Sequence, residues 1–335
     1  MHWRRVRSGR GACRDGAITA NAYIRIYESQ HPSAHGRDTG AATRCQDEGN
    51  EKNHMTYFDF LLRFVILPIL FFLFIALWDE TRSKHINGFR NGKAVWMAIG
   101  IHVLLAVTYT TPWDNYLVAT GVWYYNPDLV TGIVLGYVPI EEYTFFIVET
   151  ILAGLWWWFL ARRLHPLVPE GEAPGVRGRF IPNKQLIYVS TFVFAFLWLL
   201  FTYLFFFGEE KWTYLSITLF WALPPILLQL LFGADILWHY RKLVFLSIFV
   251  PGTYLSLMDI VALNETTWSI SPAQTTGILF FGILPLEEVV FFFITNVLIA
   301  FGMTLFLANV NEGRVAEWKS QLNGWREAGF RRLSR

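Results

Sequence analysis

Apolar residues run along most of this chain in unbroken blocks rather than in short alternations. Several blocks reach the length of about 20 residues that a helix needs to cross a hydrocarbon core. The pattern predicts helical spans at 57–78, 94–112, 139–160, 186–207, 213–235, 243–262 and 285–307. Two further apolar stretches, 130–138 and 276–284, read as short hydrophobic lead-ins to the third and seventh spans. Pro139 and Pro285 then fall near the first helical position, where a missing N–H costs nothing. Behind them Glu141-Glu142 and Glu287-Glu288 occupy the first turn, where the helix dipole favours negative charge.

Residues 1–54 break this pattern. They are polar and Arg-rich, and they hold no apolar run long enough for a signal peptide. The segment reads as a disordered extension, or as an upstream start whose natural counterpart is Met55. Composition supports the membrane reading of the remainder: 54% of residues are hydrophobic, 18% aromatic and 16% charged, against about 25% charged in a soluble domain. Both cysteines, Cys13 and Cys45, precede the first apolar block, so no disulfide framework or thiolate metal site is expected in the core.

The net charge of +2 points to no particular partner, but the placement of basic residues predicts topology. Arg82, Lys84, Arg90 and Lys93 follow the first span, Arg162, Arg163, Arg177, Arg179 and Lys184 the third, and Arg241 and Lys242 the fifth. Lys319, Arg326, Arg331, Arg332 and Arg335 lie in the carboxy-terminal tail. The intervening connections, 113–138, 208–212 and 263–284, contain only Lys211. The positive-inside rule puts the basic loops and the carboxy terminus in the cytoplasm.

A repeat is hidden in the spans. Tyr57 and Pro68-Ile69-Leu70 match Tyr214 and Pro225-Ile226-Leu227 at an offset of 157. Tyr109, Asp114, Trp123 and Thr131-Gly132 match Tyr254, Asp259, Trp268 and Thr276-Gly277 at 145. One inserted residue later, Gly136, Pro139, Glu141, Glu142, Phe145, Phe146 and Leu152 match Gly282, Pro285, Glu287, Glu288, Phe291, Phe292 and Leu298 at 146. The fourth span has no counterpart, so it returns the chain to its starting direction, and the two repeats are parallel, related by an axis along the membrane normal. The predicted fold is an all-α integral membrane protein of about seven transmembrane helices, built as two parallel three-helix repeats joined by one connecting helix. Its parts are the extension 1–54, a first repeat 55–165, a linker and connecting helix 166–208, a second repeat 209–308, and a basic tail 309–335.

Both acidic pairs then lie at one depth and can face a shared cavity. Ionisable groups inside membrane spans are functional candidates by default, so Glu141, Glu142, Glu287 and Glu288 are the candidate catalytic residues. The plainer reading makes them helix caps that bind headgroup water. Adjacent helical positions differ by about 100°, so both members of a pair cannot fully face one cavity. Glu149, two turns beyond Glu142, shares its face, and its equivalent is Thr295. Asp114 and Asp259 close the second span of each repeat; alone they read as interfacial turn acids, while their matched register makes them supporting site candidates with Glu149, Pro139 and Pro285. Trp123 and Trp268 fit an interfacial aromatic belt. His102 reads as a hydrogen-bonded core residue, and Arg63 as a guanidinium needing a partner such as Asp59. No G-x-G-x-x-G, P-loop, H-E-x-x-H or Cys/His metal spacing occurs, so no cofactor and no metal are expected, and nothing points to nucleic acid.

The duplicated three-span unit with Pro139-Ile140-Glu141-Glu142 and Pro285-Leu286-Glu287-Glu288 resembles the membrane-bound lycopene cyclases of the two-domain, fused-heterodimer type. The resemblance covers about 55–308. It implies a carotenoid-biosynthesis isomerase, a lycopene beta-cyclase closing rings on linear ψ end groups without redox change, with the acidic motif carried by Pro139, Glu141, Glu142, Pro285, Glu287 and Glu288. Such a reaction needs a protonated carboxylic acid, a nearby base and a dry pocket; burial and a neighbouring like charge favour a neutral acid, and separated paired carboxyls divide acid and base work. Aromatic π faces would shield the cation. The implied partners are an apolar carotenoid in the bilayer, the lipid membrane and other carotenoid-pathway enzymes. Alternatives are a cyclase of a longer, fifty-carbon carotenoid, a cyclase acting on one end only, a proton-coupled transporter, and a membrane scaffold.

Overall fold

The computed structural model describes residues 55–81, 84–86, 88–90, 92–165, 167–169, 180–316 and 320. The extension 1–54 and most of the basic tail therefore lie outside the described residues. Seven helices are long and apolar enough to cross a membrane: α1 Tyr57–Glu80, α2 Lys93–Ala119, α3 Ile140–Leu164, α4 Lys184–Phe207, α5 Thr213–His239, α6 Arg241–Asn264 and α7 Leu286–Leu307. Their starts have local causes. Thr56 caps α1 by accepting a hydrogen bond from the Asp59 N–H at 3.2 Å, and Asn183 caps α4 through the Leu186 N–H at 3.0 Å.

Helices α3 and α7 form the centre. They pack on each other, and α1, α2, α5 and α6 surround them. The connecting helix α4 packs on α5 and has no buried residue, so its aromatic and aliphatic surface is left for lipid.

Helix α2 runs beyond its expected end at 112, through Pro112 to Ala119. In a membrane helix a proline is tolerated where neighbouring helices and local adjustments make up for the lost donor; here α2 continues through Pro112, and Asp114, Leu117 and Val118 beyond it are buried in the bundle. Asp114 is consequently an interior residue of a helix rather than an interfacial turn acid, and so is Asp259 within α6. Arg63 is also placed differently from the expectation: it lies exposed, with its guanidinium 3.9 Å from the Met55 sulfur, while Asp59 is engaged with Thr56.

The two hydrophobic lead-ins are small β-hairpins. Strands β3 Val134–Leu135 and β4 Val138–Pro139 pair before α3, and β7 Leu279–Phe280 and β8 Leu284–Pro285 pair before α7. Pro139 and Pro285 are the last strand residues and sit one position before the first helical residue. The first hairpin turns through Gly136 and Tyr137, the second through Phe281, Gly282 and Ile283. The single residue that shifts the repeat offset from 145 to 146 therefore sits in a hairpin turn. Gly136 and Gly282 both have φ +71°, a region glycine enters without a steric penalty; the additional Phe281 is forced to φ +52°.

A further strand pair joins the repeats. β2 Trp123–Tyr125 runs antiparallel to β6 Trp268–Ile270, with Tyr124 opposite its own equivalent Ser269. The flanking bonds are mates: Ser271 N–H to the Val122 carbonyl at 2.9 Å and Asn126 N–H to the Thr267 carbonyl at 3.1 Å. Deep in the bundle Thr295 donates to its own equivalent, Glu149, at 3.0 Å. Tyr109 bonds the Trp221 carbonyl at 2.9 Å, and its equivalent Tyr254 bonds the equivalent Phe64 carbonyl at 2.7 Å. A pseudo-two-fold axis thus passes between Tyr124 and Ser269 and on between Glu149 and Thr295, along the helices, as parallel repeats require.

At the opposite end of the bundle lie the basic residues. Arg163 bonds Asp79 at 2.8 Å, and Arg314 grips Asp235 with both guanidinium nitrogens at 2.7 and 2.8 Å. Strand β1 Lys84–Ile86 pairs there with β5 Leu167–Pro169. Deletion of Phe281 gives the second hairpin the two-residue turn of the first and removes a strained backbone position. The deletion protein is expected to insert and to keep or raise its thermal midpoint in detergent; a lower midpoint would contradict the equivalence of the two hairpins.

Candidate active site

The chain path separates the two members of each acidic pair. Glu141 is fully buried and points back toward its hairpin, where its Oε1 accepts the Thr131 N–H at 2.6 Å. Glu287 repeats the contact with the Thr276 N–H at 2.7 Å. These two carboxyls tie each lead-in loop to the first turn of its helix.

The second members face inward. The Tyr57 hydroxyl, at the start of α1, donates to Glu142 Oε2 at 2.5 Å. The Tyr214 hydroxyl, at the start of α5, donates to Glu288 Oε1 at 2.7 Å. Glu142 and Glu288 line one small cavity of about 30 Å³, together with Asp259, Trp123, Trp268, Met258, Phe145, Phe291 and Phe292. Asp259 Oδ1 accepts the indole N–H of Trp268 at 2.8 Å. Three carboxyls therefore meet inside a wall of rings: Tyr57 stacks on Tyr125 at 6.2 Å, and Trp123 meets Tyr214 and Phe291 edge-on at 5.6 Å each.

The pseudo-symmetry fails at the aspartates. Asp114, the equivalent of Asp259, is buried but lies on a separate cavity of about 20 Å³ beside Trp123 and Thr218. Among the described residues neither of its oxygens has a hydrogen-bond partner, and the same holds for the hydroxyl of Thr218. Glu149 joins neither group. It lines a third cavity, of about 210 Å³, with Thr295, His102 and Gln229.

Of the nine residues singled out from sequence, Glu142, Glu288 and Asp259 come together. Glu141 and Glu287 brace the loops, and Pro139 and Pro285 close the hairpins at φ −68° and −60°. Trp123 and Trp268 are cavity walls rather than members of an interfacial belt. His102 is hydrogen-bonded to the Ala98 carbonyl at 2.7 Å, as expected of a core residue. Tyr57 and Tyr214 are site residues that the sequence reading used only to align the repeats. A phenol kept at the same place on two apolar helix starts was the available signal. Among the described residues no cluster of His, Cys, Asp and Glu is arranged to hold a metal ion.

No known protein-family profile matches the chain, and no solved structure does. Individual relatives do. The lycopene beta-cyclase of Halobacterium salinarum is 37% identical over 232 residues, which cover 69% of this chain and 86% of the relative. The bifunctional lycopene cyclase/phytoene synthase of Podospora anserina is 33% identical over 223 residues, covering 63% of this chain and 35% of that protein. The bifunctional protein of Phaeosphaeria nodorum is 35% identical over 209 residues, 61% of this chain and 34% of its own length. The fungal similarity is thus confined to about a third of each of those proteins. With 86% of the archaeal relative covered at 37% identity, this membrane protein with its duplicated Pro-x-Glu-Glu helices belongs to the lycopene beta-cyclase family and is a carotenoid-cyclising isomerase.

Proposed function

We propose that the chain closes β-type rings on the linear ψ end groups of lycopene, with Glu142 and Glu288 as its acid–base pair. The observation that supports this most directly is the meeting of Glu142, Glu288 and Asp259 in one ring-walled cavity. In the reaction, a neutral carboxyl of the pair delivers its proton to the terminal C=C and forms a C–H bond. The neighbouring double bond attacks the resulting cation and closes the ring C–C bond. A proton then leaves the adjacent carbon for the other carboxylate or Asp259, so hydrogen count and oxidation state are unchanged. Tyr57 and Tyr214 hold the carboxyls in place through their hydroxyls. The faces of Trp123, Trp268 and Phe291 stabilise the cation without being able to capture it.

The first and second repeats, 55–165 and 209–308, each supply one glutamate and one tyrosine to this centre, and 166–208 supplies the connection. Arg90, Lys93, Arg162, Arg163, Arg241, Lys242 and Arg314 at one end of the bundle support a multi-pass protein of the cell membrane with a cytoplasmic carboxy terminus. The substrate is an apolar carotenoid taken from the bilayer. The fungal relatives, named for both cyclase and phytoene synthase, support association with other carotenoid-pathway enzymes.

Cells that accumulate lycopene and express the chain are expected to form a bicyclic β-ring carotenoid; lycopene left unchanged, with the protein present in the membrane, would contradict the reading. Removing a general acid or base costs about 100-fold or more, so Glu142→Gln and Glu288→Gln should nearly stop ring formation. Glu141→Gln and Glu287→Gln keep the carbonyl that accepts the loop N–H and should retain activity within a few-fold. Glu141→Ala removes that acceptor and leaves a buried N–H unpaired, which costs about 1–3 kcal/mol and should appear as a lower thermal midpoint.

A further inference from the structure

The acid cavity is too small for what it must act on. About 30 Å³ holds little more than a water molecule. The cavity of about 210 Å³ that contains Glu149 is different. An apolar cavity of roughly 150 Å³ accepts a benzene molecule, so this one has room for a six-membered ring bearing methyl groups. Phe291 lines both cavities and the small Asp114 cavity as well, and the latter shares Thr110 and Trp221 with the larger space. On the lipid side, Leu105 and Tyr109 of α2 are 55% and 38% exposed, so the cavity lies behind a face of the bundle that looks into the bilayer.

The cavity lies between α2, α3, α5 and α7, and the two-fold relation gives it a counterpart between α6, α7, α1 and α3. Two side chains fill that counterpart. Where the open side has Gln229, the equivalent residue is Phe72, whose ring packs on Trp156 and Phe159 at 5.4 and 5.3 Å. Where the open side has Gly302, the equivalent is Trp156, whose indole N–H bonds the Leu246 carbonyl at 3.0 Å. At Gly302 a Cβ would collide with the His102 ring, so glycine is what lets that ring stand in the cavity wall. Duplication built two such spaces, and one has been closed by aromatic rings.

We propose that the cavity between α2, α3, α5 and α7 is the end-group subsite, entered from the bilayer beside Leu105 and Tyr109, and that it takes one linear carotenoid terminus at a time. The inference rests on the cyclase reading above.

The test is a pigment time course in membranes supplied with lycopene, with protein level and thermal midpoint recorded for each variant. Added bulk at Ala106 or Gln229 fills the space. Ala106→Val, Ala106→Leu and Gln229→Phe should slow ring formation in order of added volume, with about tenfold or more for the largest. Val189→Phe, on the lipid-facing surface of α4, should leave the rate unchanged. Ala106→Val is the gentlest change and carries the test if larger residues prevent insertion. Variants present at wild-type level that cyclise at the wild-type rate would overturn the subsite. If the wild-type protein itself leaves lycopene unchanged, the cyclase reading fails instead.

Discussion

Carboxyl groups inside a membrane bundle are costly unless something compensates for the lost water, and this structure is organised around that cost. Among the described residues, none of Asp114, Glu142, Glu149, Asp259 and Glu288 is in an ion pair with a basic side chain; the ion pairs present lie at Asp79, Glu209, Asp235 and Glu312. For Glu142, Glu288, Glu149 and Asp259 compensation comes from neutral donors: the hydroxyls of Tyr57, Tyr214 and Thr295, and the indole of Trp268; Asp114 has no such donor among the described residues. A guanidinium would fix a carboxylate in its ionised form, whereas a phenol or indole partner leaves it able to carry a proton. Keeping cations out of the centre is thus a requirement of the chemistry as well as a feature of the packing.

The same constraint explains why the acidic motif has two adjacent glutamates. One carboxyl of each pair ties down the hairpin that precedes the helix, and this fixes the helix start on which its neighbour stands. The neighbour turns inward by the helical angle and meets a tyrosine from the first helix of its own repeat. Each repeat therefore contributes a braced glutamate–tyrosine unit, and the β2–β6 pairing holds the two units in register across the axis. Duplication supplies two carboxyls at one depth. Divergence then makes them unequal, through Asp259 on the shared cavity against Asp114 on a neighbouring one, Glu149 against Thr295, and Gln229 and Gly302 against Phe72 and Trp156.

Much of this was legible in the sequence. Seven apolar blocks gave seven helices, because length and hydropathy are direct requirements of the bilayer. The offsets of 157, 145 and 146 gave parallel repeats, and the structure puts the inserted residue in a hairpin turn. The 100° separation of adjacent helical positions implied that both members of a pair could not fully face one cavity, and Glu141 and Glu287 turn to the Thr131 and Thr276 N–H groups instead. What the sequence did not show depends on contacts between distant segments. Two-residue strands carry no periodicity, so the hairpins read only as apolar lead-ins. The buried placement of Trp123 and Trp268 depends on the inter-repeat strand pair, which no local pattern encodes. Helix α2 extends past the apolar run that ends at 112 because the bundle buries Asp114, Leu117 and Val118 in its last turns, which hydropathy along the chain does not register. The one-sided cavity was hidden for a similar reason: Gln229 and Gly302 are informative only once their counterparts Phe72 and Trp156 are seen filling the equivalent space.

The central claim is that a carboxyl proton starts the cyclisation and a second carboxylate ends it, with no redox step. Isotope transfer in a single turnover tests it most directly. Enzyme equilibrated in heavy water and given unlabelled lycopene should place one deuterium in each ring formed, on the ring CH2 beside the gem-dimethyl carbon, which was the CH of the terminal double bond. Rings formed without deuterium, or products whose hydrogen count differs from that of lycopene, would contradict the account.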